Sequence, residues 1–174
     1  MVTLKGAHIY LRALEPEDIE FIYAIENDEN LWELSNTQTP YSRYLLKQYL
    51  ENAHKDIFEV KQLRLVISNY KNETLGLIDL FDFDFKNKRA GVGILIKSES
   101  DRHQGHGKEA LKLLIDYSFQ QLQLHQLFCN ISEDNAVSLQ LFKGHGFVEV
   151  GIKKDWNFDG KNFKNEYLLQ LIKQ

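Results

Sequence analysis

A loop rich in glycine and basic residues connects a predicted strand to a predicted helix near the middle of the chain. The strand ends with Ile94, Leu95 and Ile96. The loop residues that could contact an anion are Arg102, His103, Gln104, Gly105, His106, Gly107 and Lys108. Free N–H groups and the positive dipole end of a helix hold phosphate, and glycine lets the backbone approach it closely. The pattern predicts a phosphate site; the alternative is a loop that needs two glycines only to turn.

Acidic residues alternate with apolar ones on a second predicted strand, from Gly76 to Phe85. These acids are Asp79, Asp82 and Asp84. Carboxylates can accept a proton or hold a cation. Strict alternation puts Asp82 and Asp84 on one face and Asp79 on the other, so all three line one cleft only if the strand has a bulge. The alternative is a solvated strand face.

A third segment, from Asn135 to Phe147, has the pattern of a capped helix followed by a strand. Asn135 is a typical N-cap residue, and Gly144 and Gly146 follow the last helical residue, Lys143. The pattern predicts a helix from about Asn135 to Lys143.

Two of these segments carry a family resemblance. The residues RHQGHG at 102–107 match the loop R/Q-x-x-G-x-G/A, and segment 135–147 matches N-x-x-(S/A)-(hydrophobic)-x-x-Y-x-x-x-G-F, with Phe142 in place of the tyrosine. On these motifs the chain resembles the GNAT superfamily of N-acetyltransferases. The similarity extends over essentially the whole chain, in the pattern of the ribosomal-protein N-terminal and spermidine (diamine) acetyltransferase branch.

The resemblance implies that acetyl-CoA binds in a V-shaped gap between the strand ending at Ile96 and a strand ending near Asn130. The backbone of Ile94, Leu95 and Ile96 would then bind pantetheine, and the amides of the 102–108 loop would bind the pyrophosphate. Asn135 matches a residue that contacts the arm of acetyl-CoA, Phe142 stands beside it on the same helix, and Lys143 could reach a phosphate.

The resemblance also implies roles at the acceptor amine. Asp82, ranked first, and Asp79 match acidic positions near the acceptor, as general base through water or as anchor for a cation. The remaining residues expected to contact the substrate are Trp32, Glu33 and Asp84. Two departures from the family pattern stand out: Gly91 replaces a frequent glutamate, and Phe142 replaces the tyrosine that protonates the leaving thiolate. Water, Ser138 or Tyr167 could take over the second role.

Hydrophobic periodicity predicts the elements that position these residues. They are a strand at 8–12, a helix opening at Pro16, a second helix opening at Thr39-Pro40 with Tyr44, Leu45, Tyr49 and Leu50 on its inner side, three antiparallel strands between 65 and 96, a helix at 107–122, a strand at 126–131, the helix at 135–143 and a hairpin of 147–158 with 163–172. The expected fold is α+β: one domain, 1–174, with a GNAT-like mixed, mainly antiparallel sheet flanked by helices.

Composition excludes several classes of protein. A net charge of −4 at pH 7 disfavours a dedicated nucleic-acid binder. No stretch approaches the ~20 apolar residues that cross a bilayer. The single cysteine, Cys129, rules out an internal disulfide, and the histidines show no metal-binding spacing. We therefore expect a cytoplasmic protein without a metal, a membrane anchor or a nucleic-acid partner.

The hypothesis from sequence is an acetyl-CoA-dependent N-acetyltransferase. The acidic strand favours a small cationic amine such as a polyamine as acceptor. The enzymatic alternatives are a protein N-terminal or an amino-sugar acetyltransferase. A different alternative is a module that binds acyl-CoA without catalysis. The chain is also a possible homo-oligomer.

Overall fold

The computed structural model describes residues 2–35, 37–53, 55–98 and 104–174. Its strands are β1 (Ile9–Ala13), β2 (Leu63–Asn69), β3 (Thr74–Asp84), β4 (Arg89–Ile96), β5 (Gln126–Ser132), β6 (Val148–Phe158) and β7 (Phe163–Ile172). Its helices are α1 (Ile19–Glu26), α2 (Glu29–Ser35), α3 (Arg43–Glu51), α4 (Ile57–Val60), α5 (His106–Gln120) and α6 (Ala136–Lys143). Within the described ranges the strands form one seven-stranded sheet in the order β1-β2-β3-β4-β5-β7-β6. The predicted α+β class is confirmed.

Strands β2, β3 and β4 form the predicted antiparallel meander, and β1 extends it by pairing antiparallel with β2. Both faces of this part of the sheet are buried. Leu65 and Ile67 of β2 pack in a cluster with Leu111 of α5, whereas Val66 packs in a second cluster with Ile22 of α1. Because successive side chains of a strand point to opposite faces, α5 and α1 cover opposite sides of the sheet.

The parallel pair β4 and β5 is the irregular point of the sheet. The two strands pair only through Arg89–Gly91 and Gln126–Phe128, and their remaining residues are not paired with each other. On its other side β5 pairs with β7, which pairs with the edge strand β6. The β6–β7 hairpin turns at the predicted Asp-Gly, where Gly160 has a φ of 94°.

Helices α5 and α6 follow their sequence signals closely. Leu111 and Leu114 of α5 are fully buried. The Asn135 side chain caps α6 by accepting a hydrogen bond from the Ser138 N–H at 3.1 Å. No helix among the described residues is long and apolar enough to cross a membrane.

A buried ion pair fixes the start of α1 against β1. The Arg12 guanidinium donates two hydrogen bonds to Asp18, at 2.7 and 2.8 Å. Burial alone raises the pKa of the Asp18 carboxyl, but the hydrogen bonds from Arg12 and from the Glu15 N–H outweigh it and hold the pKa below its usual value. The pair orients α1 over the second cluster.

The region before the main sheet differs from the prediction. Four helices replace the expected two, because α2 and α4 are too short to show a hydrophobic period. Helix α3 begins at Arg43 rather than at Thr39-Pro40, since the Ser42 hydroxyl caps it. The expected inner residue Leu50 is buried, and Leu46 is buried beside it, whereas the expected inner residues Tyr44 and Leu45 are exposed.

Candidate active site

A cavity of about 940 Å³ passes through the sheet where β4 and β5 separate. Gly107, Leu141 and Phe142 line it on the α5–α6 side. Arg64 and Leu77 line it on the side covered by α1 and α3. A ligand in this cavity can therefore contact both faces of the sheet.

The backbone groups of β4 point alternately toward β3 and toward the cavity. The Lys97 N–H donates to Leu75 O on β3, and the β3–β4 register is regular from Gly76 to Phe81. Because backbone groups of alternate residues point to the same side, Leu95 also bonds β3, whereas Ile94 and Ile96 face the gap. All three residues line the cavity, and the expected contact of the Leu95 backbone with pantetheine stays a prediction.

The N-terminus of α5 lies at the α5–α6 end of the cavity. Gly105 is the N-cap, with a φ of 85° that favours glycine, and Gly107 lines the cavity. The first N–H groups of a helix have no intrahelical acceptor, so this end is suited to bind an anion. Gln104, His106 and Lys108 lie next to these glycines but do not line the cavity. Arg102 and His103 are outside the described residues.

His145 braces this end of the site, a role that the sequence analysis missed. Its Nδ1 lies 2.8 Å from Leu141 O and its Nε2 lies 2.9 Å from Lys108 O. The ring therefore connects the end of α6 to the first turn of α5. His145 and Lys108 are 37 residues apart in the sequence, so no local pattern predicts this contact.

Helix α6 presents three residues to the cavity, Asn135, Ser138 and Phe142. The Phe142 ring is 2% exposed and packs edge-on against Phe147, with centroids 5.0 Å apart. Tyr167 is absent from the cavity lining within the described residues. Lys143 is also absent from it, and its ammonium pairs with Glu149 at 3.1 Å.

An ionic triad forms the wall of the cavity under α1 and α3. Arg64 on β2 donates two hydrogen bonds to Asp79 on β3, at 2.8 and 3.1 Å, and one to Glu26 on α1, at 3.0 Å. Burial alone lowers the pKa of the Arg64 guanidinium, but the charges and hydrogen bonds of the two carboxylates outweigh it and raise the pKa. Burial raises the pKa of the neighbouring Tyr49 hydroxyl. Of this group the sequence analysis identified only Asp79.

The structure contradicts the predicted place of Asp82 and Asp84. The β3–β4 register shifts between Phe81 and Asp84, and Asp82 has a left-handed φ of 47°, so a bulge turns it outward. Asp84 pairs with Arg89, at the end where β4 and β5 are still paired. Neither residue lines the cavity, because the gap opens only beyond Gly91.

The ring of Phe81 explains the glycine at position 91. A Cβ added to Gly91 would lie 2.3 Å from Cε2 of Phe81. Phe81 lines the cavity and packs edge-on against Phe128 of β5. The space that a glutamate would need is therefore filled by an aromatic ring.

The expected substrate residues on α2 have different environments. Glu33 lines the cavity and forms an ion pair with Lys164 of β7, whose ammonium also pairs with Asp134 at 2.7 Å. Trp32 does not line the cavity; its indole N–H donates to Glu26 O at 2.9 Å. Trp32 therefore helps to hold the end of α1, which carries Glu26 of the triad.

Two further kinds of chemistry can be checked against the structure, a nucleophilic cysteine and a metal site. Cys129 lines the cavity, but burial raises its pKa to about 12, which disfavours the thiolate needed for nucleophilic attack. Among the described residues no three His, Cys, Asp or Glu side chains are grouped to hold a metal ion.

The comparisons with known proteins agree with this geometry. The sequence model of the acetyltransferase (GNAT) domain matches residues 8–148. The chain belongs to the GNAT acetyltransferase family. The predicted family and enzyme class are confirmed.

Spermidine acetyltransferases are among the GNAT proteins most similar to this chain. It is 28% identical over 170 residues to the spermidine N(1)-acetyltransferase of Vibrio cholerae, with 95% of both chains covered. The crystal structure of the Vibrio cholerae enzyme in complex with CoA and spermine has a TM-score of 0.85 at 24% identity and 96% coverage of both chains. A dodecameric structure of that enzyme has a TM-score of 0.80 at 23% identity, with 96% of this chain and 95% of that chain covered.

Proposed function

We propose that this GNAT enzyme transfers the acetyl group of acetyl-CoA to a primary amine of a polyamine. The charge of the cavity carries the proposal. Among the described residues five carboxylates line it, and three cations pair with them, which leaves an excess of negative charge; the carboxylates are Glu26, Glu33, Asp79, Asp134 and Glu166, and the cations are Arg64, Lys153 and Lys164. Such a wall attracts a cation with several ammonium groups. The names and ligands of the Vibrio cholerae relatives support this acceptor class.

Acetyl-CoA would occupy the gap between β4 and β5 as the second substrate. The backbone groups of Ile94 face the gap and could bind pantetheine, and the amides that begin α5 could bind the pyrophosphate. Asn135 and Ser138 line the same part of the cavity. A side chain added at position 107 would block this path, because a Cβ there would lie between the side chains of Ile94 and Leu141.

The reaction would be a direct attack of the amine on the thioester. An alkyl amine has a pKa of ~10.4, so its deprotonation at pH 7 costs about 4.6 kcal/mol and needs a proton acceptor. The N–C bond forms, the thioester oxygen gains negative charge, and the backbone N–H of Ile94 can stabilise it. The C–S bond then breaks, and the thiolate leaves.

Phe142 affects the step in which the thiolate leaves. A thiol has a pKa of ~8.5, so departure without protonation at pH 7 forfeits about 2 kcal/mol. Ser138 lies one helical turn before Phe142 and lines the cavity, whereas Tyr167 does not, so we propose Ser138 or water as the proton donor. We expect Phe142→Tyr to keep activity and to raise kcat by up to about 30-fold. Stopped-flow thiol release measures this; complete inactivation with normal CoA affinity would show that the phenyl shape is required.

An acceptor panel tests the proposed function. Thiol release is measured at saturating acetyl-CoA with spermidine, spermine, a diamine, a glucosamine and peptides with free N-termini. We expect kcat/KM to be highest for the polyamines. A higher kcat/KM for a peptide or an amino sugar would identify that class as the acceptor instead. Tight acetyl-CoA binding without turnover of any acceptor would favour a non-catalytic binding module.

We also propose that copies of the chain associate through β6. This strand is the edge of the sheet and exposes Val148, Val150 and Ile152, each about half exposed or more. An exposed apolar edge strand favours contact with another chain. The dodecameric Vibrio cholerae relative supports this proposal. We expect Ile152→Lys to reduce the mass measured by light scattering; an unchanged oligomer would assign the contact to another surface, and a monomeric wild type would overturn the proposal.

We propose the cytoplasm as the place where the enzyme works. The chain has one cysteine, which is buried and free. A protein that needs no disulfide is suited to a reducing compartment.

A further inference from the structure

We propose that Glu26 of α1 is the general base that accepts the proton of the attacking amine. This inference rests on the proposed function and names the residue that performs its proton transfer. Neither the sequence motifs nor the acidic strand β3 pointed to Glu26. The structure brings it to the cavity through its pairing with Arg64, 38 residues away.

The position of Glu26 is fixed by its neighbours. It is the last residue of α1, and its carbonyl accepts a hydrogen bond from the Trp32 indole. The next residue, Asn27, holds the chain end by donating to Tyr41 O at 3.1 Å and accepting from the Tyr41 N–H at 2.8 Å. The Glu26 side chain is 16% exposed and lines the cavity. It therefore has a defined direction and access to a ligand.

The two carboxylates of the triad differ in what their oxygens contact. Both oxygens of Asp79 accept hydrogen bonds from Arg64. Glu26 accepts one through Oε1, and its Oε2 has no hydrogen-bond partner among the described residues. Both oxygens of Asp79 are therefore occupied by the guanidinium, whereas one oxygen of Glu26 can still contact a substrate proton. Oε2 of Glu26 is therefore the free proton acceptor of the triad.

Neither position 91 nor position 82 offers a carboxylate to the cavity for this proton transfer. Phe81 fills the space at Gly91, and Asp82 points away from the cavity. In our mechanism the ammonium binds beside Glu26, and its proton moves to Oε2 as the neutral nitrogen attacks the thioester carbon. The C–S bond then breaks, the second proton of the amine nitrogen passes through Ser138 or water to the leaving sulfur, and Glu26 returns the first proton to solvent after the product leaves. Asp79 keeps Arg64 in place and is a positioning residue.

The test compares Glu26→Gln with Asp82→Asn in the full chain, with spermidine as acceptor. Removal of a general base lowers rates by about 100-fold to 10,000-fold. We expect Glu26→Gln to lower kcat/KM for spermidine at neutral pH by at least about 100-fold, with the affinity for CoA unchanged. Asp82→Asn, which removes an exposed carboxylate of the bulge, should stay within about threefold of wild type.

The pH profile separates a base from a structural residue. Without the base, only amine that is already neutral in solution reacts, so kcat/KM of Glu26→Gln should rise about tenfold per pH unit between about pH 7 and 9. A structural defect would lower the profile by a constant factor. A parallel profile, or a variant within about threefold of wild type, overturns the role of Glu26 alone. A wild-type protein that acetylates no amine overturns the proposed function and this inference together.

Discussion

Arg64→Leu is expected to lower the free energy of unfolding by about 3–5 kcal/mol and to abolish detectable acetyl transfer. The guanidinium is the partner that Glu26 and Asp79 share in the cavity wall. Its removal leaves two partly buried carboxylates close together without a counter-charge. Urea denaturation at neutral pH measures the loss.

Two controls separate the charge of Arg64 from its shape. Arg64→Lys keeps the charge but loses the planar fork, so we expect an intermediate stability. Combining Arg64→Leu with Glu26→Gln and Asp79→Asn removes the repulsion and should restore most of the stability but none of the activity. A loss below about 1 kcal/mol in Arg64→Leu would contradict the triad as a structural unit of the cavity.

Gly107→Val is expected to lower the affinity for CoA by at least about 100-fold while the fold is kept. A Cβ at this position would lie 3.8 Å from Ile94 Cδ1 and from Leu141 Cδ2, which are ordinary contacts. The protein itself can therefore accept the side chain, but its methyl groups would fill the gap that the pantetheine and pyrophosphate need. Two lost hydrogen bonds to a charged group account for about this change in affinity. Isothermal titration calorimetry with CoA measures it.

Gly105→Ala is the matched control for this variant. Gly105 has a φ of 85°, and a Cβ there would meet no atom within 4 Å. We expect a cost in stability of about 1 kcal/mol from backbone strain, with a smaller change in CoA affinity than in Gly107→Val. Wild-type affinity in Gly107→Val would contradict the path of acetyl-CoA beside α5.

The parts of the fold that the sequence predicts well depend on local signals. The strands of the meander, the cap of α6 at Asn135 and the Asp-Gly turn each follow from residues a few positions apart. Helix α3 shows the limit of such signals, because two capping candidates lie close together and Ser42 rather than Thr39 begins the helix. Packing against the sheet, which no local pattern contains, decides that Leu46 of this helix is buried and Leu45 is exposed.

The site required information that no local pattern contains. Strict alternation along β3 placed Asp82 on a common face with Asp84, but one extra residue in the bulge changed the direction of this part of the strand. Glu26 and Arg64 belong to different elements, and only the packing of α1 on the sheet brings them together. The expected phosphate site at α5 rests on a local signal instead, since a glycine-bearing loop before a helix predicts an anion site wherever the helix lies, and it stays a prediction.

The most direct test of the account is product analysis of the purified chain with acetyl-CoA and spermidine by mass spectrometry. We predict that free CoA and monoacetylated spermidine accumulate in equal amounts, and that neither forms when the chain or either substrate is omitted. If acetyl-CoA binds yet stays intact while spermidine remains unmodified, the central claim of polyamine acetylation is wrong.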